Sequence, residues 1–319
     1  MRSISAEQVK LIIAAVNEGK TEYSAGALEK DLHLTQILRI LSSISNKDLA
    51  LNFGGGTSLI KAFAIMNRMS EDLDIKVTSF IDLGKSKLRR KLKALKRSIE
   101  EDLQASGFEI VSSSILNEYK FFDFELKYQE KFPPEVSLRA AIKIEFTFAK
   151  LHVQALNIPI STLIYRDLDM SHTPFNFSCV AQEQTTAEKI LSFLRRWDPT
   201  TSKNDSRLVR HIYDVAILME AQIDSDGLRK SFQEAVEEDR TRFANQQPEF
   251  VNNPKKLLEQ ALSRLQGDKS LRDAYQIFVL ELIPGPAKSC EESLAIFTKT
   301  AVPLISVLNS HSHHTDLTS

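Results

Sequence analysis

Apolar residues recur at helical spacing in VKLIIAAV and again in LEKDLHLTQILRILSSI, so the first fifty residues are expected to form helices. LALNF is then a short apolar run halted by three glycines. That pattern predicts a strand over Leu49 to Phe53, a tight turn over Gly54 to Gly56, and a helix over roughly Thr57 to Asn67. LDIKV reads as a second strand. Leu88, Leu92, Leu95, Ile99 and Leu103 share one stripe of an amphipathic helix. FEIVSSSI, FFDFELKY and RAAIKIEFTF alternate as strands of an antiparallel or mixed sheet do. From about Gln184 to Leu308 the pattern is almost wholly helical, and NSHSHHTDLTS reads as a disordered tail. The expected fold class is therefore α+β. A mixed sheet with flanking helices spans 1–182, a helical domain spans 183–308, and the tail is 309–319.

With 319 residues, 42% of them hydrophobic, the chain can bury a proper core. It has no apolar run near the roughly 20 residues of a membrane span, and MRSISAEQVK lacks the apolar centre of a signal peptide. A cytoplasmic protein without a membrane partner is expected. Cys179 and Cys290 are too few for a disulfide framework and not in metal-like spacing, so both read as buried thiols. The net charge of −1 gives the whole chain no pull on nucleic acid. Segment 85–97, KSKLRRKLKALKR, nevertheless carries eight basic residues and no acidic one. Its outer face is either simply solvated or binds RNA through Arg89, Arg90 and Lys93.

The candidate chemistry lies in GGGTSLIKAFAIMNRMSEDLDIK. Glycines between a strand and a helix let bare backbone N–H groups approach a ligand, and phosphate is the natural guest. The turn lacks the Gly-Lys-Ser/Thr ending of a P-loop and the third glycine of a dinucleotide fingerprint. Residues two apart in a strand share a face, which puts Asp72 and Asp74 side by side and turns Leu73, Ile75 and Val77 into the core. Crowded carboxylates repel unless a cation lies between them, and hard oxygen ligands suit Mg²⁺ or Mn²⁺. Should RAAIKIEFTF neighbour this strand, Glu145 is available as a third metal ligand. The competing reading pairs Glu145 with Lys143.

These residues resemble the signature of the nucleotidyltransferase superfamily: Gly-Gly or Gly-Ser, a helix of about ten residues, then Asp-x-Asp. More narrowly, GGTSL…RMSEDLDI is similar to the AbiEii/AbiGii family, nucleotidyltransferase toxins of bacterial abortive-infection and toxin–antitoxin systems. LEKDLHLTQIL, TTAEKILSFLRR, RHIYDVAIL and LRDAYQIFVLELI extend the likeness over residues 28 to 300. The resemblance implies the nucleotidyltransferase fold, transfer of a nucleotide from an NTP to an acceptor such as tRNA or another RNA, and a separate cognate antitoxin. It implies that Asp72 and Asp74 hold the metal while Gly55, Gly56, Thr57 and Ser58 cradle the triphosphate. Lys189 meets the phosphates, and Asp214 orients Lys189 or acts as base. Arg68 and Ser70 belong to the family's Arg-x-Ser-x-Asp-x-Asp pattern, with Arg68 orienting Asp72 or touching phosphate. Of Arg195 and Arg196, one reaches the triphosphate while the other is solvated, with Arg196 the choice for the nucleotide, and Lys61 is a weaker candidate than Arg68.

Read without the family, Thr185-Thr186-Ala187-Glu188 is a capping-box sequence, predicting a helix start there with Lys189 in the first turn. Asp214, on a largely apolar helix, needs a partner. A structural Lys189–Asp214 pair satisfies that need without catalysis. His211 reads as a surface or packing residue. Two other functions stay open: a nucleotidyltransferase acting on a small molecule such as an antibiotic, and a catalytically inactive nucleotide-binding protein of the same fold.

Overall fold

The period-two runs of the N-terminal half pair into a mixed sheet. The computed structural model describes residues 1–70, 72–133, 141–170, 173–197, 206–244 and 246–308; the expected tail, 309–319, lies outside them. The described chain forms two compact units, one of Met1–Ala181 with Leu282–Gly285, the other of Gln182–Glu281 with the residues from Pro286 onward.

The first unit runs α1 (Ala6–Asn17), α2 (Ala25–Ser43), β1 (Leu49–Gly54), α3 (Gly55–Lys61), β2 (Asp72–Ser79), α4 (Lys85–Ala105), β3 (Glu109–Ser112), β4 (Ile115–Leu116), β5 (Phe121–Lys127), β6 (Ile142–Phe148), β7 (Leu156–Ile160), α5 (Leu163–Asp167) and β8 (Phe175–Cys179). Among the described residues the sheet order is β3-β5-β6-β2-β1-β8-β7, with β4 beside β5. β2 lies antiparallel to β1 and parallel to β6, so the sheet is mixed as the alternation predicts.

Leu73, Ile75 and Val77 share a face with Phe122, Phe124, Ile144 and Phe146 and form one apolar cluster with Leu92, Leu95 and Ile99 of α4 and Ile37, Leu38 and Leu41 of α2. Phe122 and Phe146 stack with ring centroids 4.7 Å apart. Burying one face this completely fixes the register, because a slip of one residue would turn every charged partner into the core.

Three expectations change here. The helix after the glycines ends at Lys61, not near Asn67. Ala64 takes a left-handed φ of 53°, and the Asn67 amide is captured by Glu22 and by the Pro284 carbonyl. Those tertiary bonds outcompete continued helix. FEIVSSSI forms two short pieces, β3 and β4, with a register irregularity between Ile110 and Ser112. Finally β7, α5 and β8 were not anticipated, since each is only five residues long and β7 contains Pro159, which is tolerated at the sheet edge it occupies.

α2 buries an unusual polar run. Glu29 accepts the backbone N–H groups of Lys131 and Phe132, and Lys30 donates to the Ala141 carbonyl. His33 packs 4.1 Å from the Tyr128 ring, and its Nε2 has no hydrogen-bond partner. Burial, then the charge of Arg2, pushes the His33 pKa down to about 4. The unfolded chain takes up this proton near the ordinary 6.5, the folded chain only near 4. Stability is thus full above pH 6.5 and falls as pH drops toward 4, by about 3 kcal/mol. His33→Leu is expected to remove most of that acid-linked loss, read as urea midpoints at pH 7 and pH 4.5.

The second unit is helical: α6 (Gln182–Arg196), α7 (Arg210–Leu218), α8 (Ser225–Arg242), α9 (Pro248–Asn252), α10 (Pro254–Arg264), α11 (Lys269–Leu282) and α12 (Cys290–Ser306). Its buried side chains include Phe193, Phe232, Phe250, Tyr275 and Phe297. Both cysteines are buried, and burial pushes Cys179 up to about 12 and Cys290 to about 11, which makes them inert thiols. Among the described residues no helix is long and apolar enough to cross a membrane.

Candidate active site

Gly54 ends β1 directly opposite Asp74 of β2. Gly55 then takes φ +71°, and a Cβ built there would fall 1.8 Å from Asp74 Oδ2. Only glycine meets both conditions, the left-handed backbone and the contact with the carboxylate. A Cβ on Gly56 would meet the buried Arg68 guanidinium at 2.3 Å. Arg68 Nη1 donates to the Met69 carbonyl at 2.8 Å.

The following hydroxyls stitch this turn to the aspartate strand. Thr57 Oγ1 donates to the Asp72 carbonyl and lies 2.7 Å from Ser70 Oγ, while Ser58 Oγ donates to the Gly55 carbonyl at 2.9 Å. Both side chains are buried, so what residues 55–58 can offer a phosphate is their backbone. Lys61 is turned inward as well. Its ammonium bonds the Asp31 carboxylate, whose other oxygen accepts the Leu163 N–H. Burial lowers the Lys61 pKa and the Asp31 charge opposes that fall. Lys61 therefore anchors α3 to α2 through a buried ion pair.

On the polar face of the sheet, Asp72 and Asp74 are half-buried while their strand neighbours are fully buried. β6 runs parallel in a register that sets Lys143 beside Asp72 and Glu145 beside Asp74. β5 adds Asp123 beside Glu145. Lys143 Nζ lies 2.5 Å from Glu145 Oε1 and 3.7 Å from Asp123 Oδ2. Glu145 thus neighbours the aspartate strand as expected, and its carboxylate is also held by Lys143. Burial draws the Lys143 pKa down, but the hydrogen bond and charge of Glu145, with Asp123 and Asp72, leave it raised. Among the described residues no three His, Cys, Asp or Glu side chains group to hold a metal ion. Two aspartates on one face beside a glycine turn fit a Mg²⁺-type ion, which takes one or two protein carboxylates and completes its shell with substrate phosphates and water. Asp123 was missed in the sequence, although its polar position between Phe122 and Phe124 marks the same face.

In the second unit, α6 begins at Gln182, three residues before the predicted capping box. Thr186 lies inside the helix with its hydroxyl on the Gln182 carbonyl, and Glu188 accepts from Gln184 one turn back. Lys189 consequently sits two turns into α6, clear of the positive end of the dipole. Its Nζ donates to Asp214 Oδ2 at 2.7 Å, and the Asp214 side chain is 0% exposed. The partner that Asp214 requires is thus Lys189.

Arg195 is spent on Asp239 at 3.0 Å, on Gln247 at 3.2 Å and on the Phe243 ring. Arg196 is exposed, and its Nη1 lies 3.5 Å from Ser192 Oγ one turn back. Burial and the charge of Lys189 hold His211 well below its ordinary pKa, so its ring is neutral.

On α4 the structure divides the basic run. Lys91 pairs with Asp48, Lys96 lies over the Phe124 ring and reaches Glu100, and Arg97 pairs with Glu101. Arg89, Arg90 and Lys93 are exposed, on the side opposite buried Leu88, Leu92 and Leu95.

A mixed sheet whose glycine turn is clamped against paired aspartates is the architecture of a nucleotidyltransferase. Over residues 36–296 the sequence matches the family model described as nucleotidyl transferase AbiEii toxin, type IV TA system, and the chain belongs to that family. It is accordingly a nucleotidyltransferase toxin of a type IV toxin–antitoxin system, with an NTP substrate and an antitoxin partner. Nucleotidyltransferases generally use divalent metal ions. The fold is similar to that of MenT4, the nucleotidyltransferase toxin Rv2826c from Mycobacterium tuberculosis H37Rv: TM-score 0.56 and 16% identity, covering 95% of this chain and 90% of that one. A second structure, the STING-associated CdnE c-di-GMP synthase from Capnocytophaga granulosa, aligns with TM-score 0.28 and 13% identity over 93% of this chain and 84% of that one. No curated protein matches the sequence.

Proposed function

We propose that this toxin acts in the cytoplasm as a Mg²⁺-dependent enzyme, with Mn²⁺ able to substitute, and that its acceptor is RNA, with tRNA the foremost candidate. Its working parts are an N-terminal nucleotidyltransferase domain, 1–182, and a helical domain, 183–308. Asp72 and Asp74 would hold the divalent ion, which when bound neutralises the triphosphate and polarises its phosphorus. The backbone of Gly55, Gly56, Thr57 and Ser58 receives phosphate oxygens, and Arg68 keeps the turn in place. Lys189 and Arg196 meet negative charge on the phosphates. Asp214, sealed from water and bonded to Lys189, orients that ammonium. The acceptor hydroxyl forms a new bond to the α-phosphorus, the bond to pyrophosphate breaks, and the hydroxyl proton passes to solvent water. Catalysis is thereby positioning and electrostatics.

The observation that carries the RNA reading is the exposed cationic face of α4. A chain of net charge −1 attracts a polyanion only through a local field, and Arg89, Arg90 and Lys93 supply one. Lys85 and Lys87 sit in the first helical turn, where the dipole disfavours cations and a bound polyanion would offset the cost. Changing Arg89, Arg90 and Lys93 together to glutamate spares the buried leucines. RNA affinity is expected to fall by at least about a hundredfold at low salt, with a shallower salt slope and unchanged NTP binding. Equal labelling of RNA by parent and triple variant at physiological salt would turn the search toward a small-molecule acceptor.

A further inference from the structure

We propose that the Lys143 ammonium is a fixed cation standing where a second divalent ion would otherwise bind, so that the site operates with one metal ion, held by Asp72 and Asp74. The proposal rests on the reading of those two aspartates as the metal carboxylates. Catalysis with two metals needs further carboxylates to hold ions about 3.5 to 4 Å apart. On this face Asp123 and Glu145 are the further carboxylates that the registers of β5, β6 and β2 align beside Asp74, while Glu125, opposite Lys143, is exposed and accepts from Ser112 Oγ at 3.0 Å.

Both are already engaged by a protein cation. Lys143 Nζ is 2.5 Å from Glu145 Oε1 and 3.7 Å from Asp123 Oδ2, and its own strand position is opposite Asp72. Glu145 therefore turns along β6 to the ammonium two residues away. Asp123 is further tied by accepting the Ser114 N–H at 2.8 Å. One positive charge among Asp72, Asp123 and Glu145 relieves the repulsion that a second metal ion would have relieved. It does so without the dehydration a second ion would require. The placement also explains why Lys143 emerges on the polar face of a strand whose other face is wholly apolar: it is the counter-charge that lets carboxylates from three adjacent strands share that face. Lys143 is thus a positioning residue, acting through the carboxylates it holds.

The test is Mn²⁺ titration of the full chain, followed by electron paramagnetic resonance. The parent is expected to bind one Mn²⁺ per chain with an uncoupled spectrum, lost in Asp74→Asn. Lys143→Met frees two carboxylates and should bind a second Mn²⁺ whose spectrum shows spin coupling. Lys143→Arg, which keeps the charge, should remain at one. Two spin-coupled ions in the parent would overturn the proposal, and this count needs no variant to fold. One ion in both parent and Lys143→Met, at equal affinity, would overturn it while leaving the Asp72/Asp74 assignment intact. No Mn²⁺ on the parent would instead reject that assignment and the proposal with it.

Discussion

Replacing Asp74 by asparagine is expected to lower nucleotidyl transfer by at least about a hundredfold, the scale on which loss of one preorganised charge acts on a transition state. The fold should persist, since the side chain is on the half-buried polar face and contributes no apolar packing. Asp72→Asn should behave alike. Removing one of two neighbouring like charges relieves repulsion, while the Lys143 ammonium loses part of its counter-charge, so the melting temperature of either variant should stay close to that of the parent. The combination separates a metal role from a structural one. Activity lost together with stability would make these aspartates parts of the scaffold, and full activity would reject the metal assignment. The asparagine change is preferable to alanine because the Gly55 backbone lies against the Asp74 carboxylate, and a shortened side chain would open a gap there.

The largest effect on stability is expected at Asp214. Its carboxylate is fully buried and bonded to Lys189, whose side chain is only 9% exposed. Changing Lys189 to methionine strands a negative charge inside α7, and breaking such a pair costs about 3–5 kcal/mol. Asp214→Ala strands the ammonium instead. The double variant Lys189→Met, Asp214→Leu removes both charges and should recover much of the loss, because well-packed apolar replacements of buried pairs are often neutral. Chemical denaturation measures this cycle. NTP affinity and transfer rate supply the second axis. If the pair serves phosphate binding, the double variant regains stability without regaining transfer. Recovery of both would make the pair purely structural.

Much of the site was legible before any coordinates, for reasons of short range. Alternation in LDIKV puts Asp72 and Asp74 on one face whatever the sheet order, and three consecutive glycines between strand and helix already imply a close backbone approach. The stripe of Leu88, Leu92 and Leu95 similarly defines which side of α4 is outward. Asp214 on an apolar helix announces that it has a buried partner, and the family resemblance supplied which one.

What tertiary structure decided were the competitions that local signals leave open. The helix after the glycines stops at Lys61, where Ala64 turns to a left-handed φ and the Asn67 amide is captured by Glu22 and the distant Pro284 carbonyl. The capping-box sequence lies inside α6, which starts three residues earlier, and its threonine hydroxyl bonds a carbonyl one turn back instead of capping. Lys61 goes to buried Asp31, thirty residues earlier, and no spacing rule foretells that choice between a core carboxylate and a ligand phosphate. Sequence likewise left two fates for Glu145, a metal or Lys143, since both require only that β6 lie beside β2. Strand alternation fixes the face on which a charge emerges. The charge it meets there depends on which strands become neighbours, and that is set by how the whole sheet buries its other face against α2 and α4.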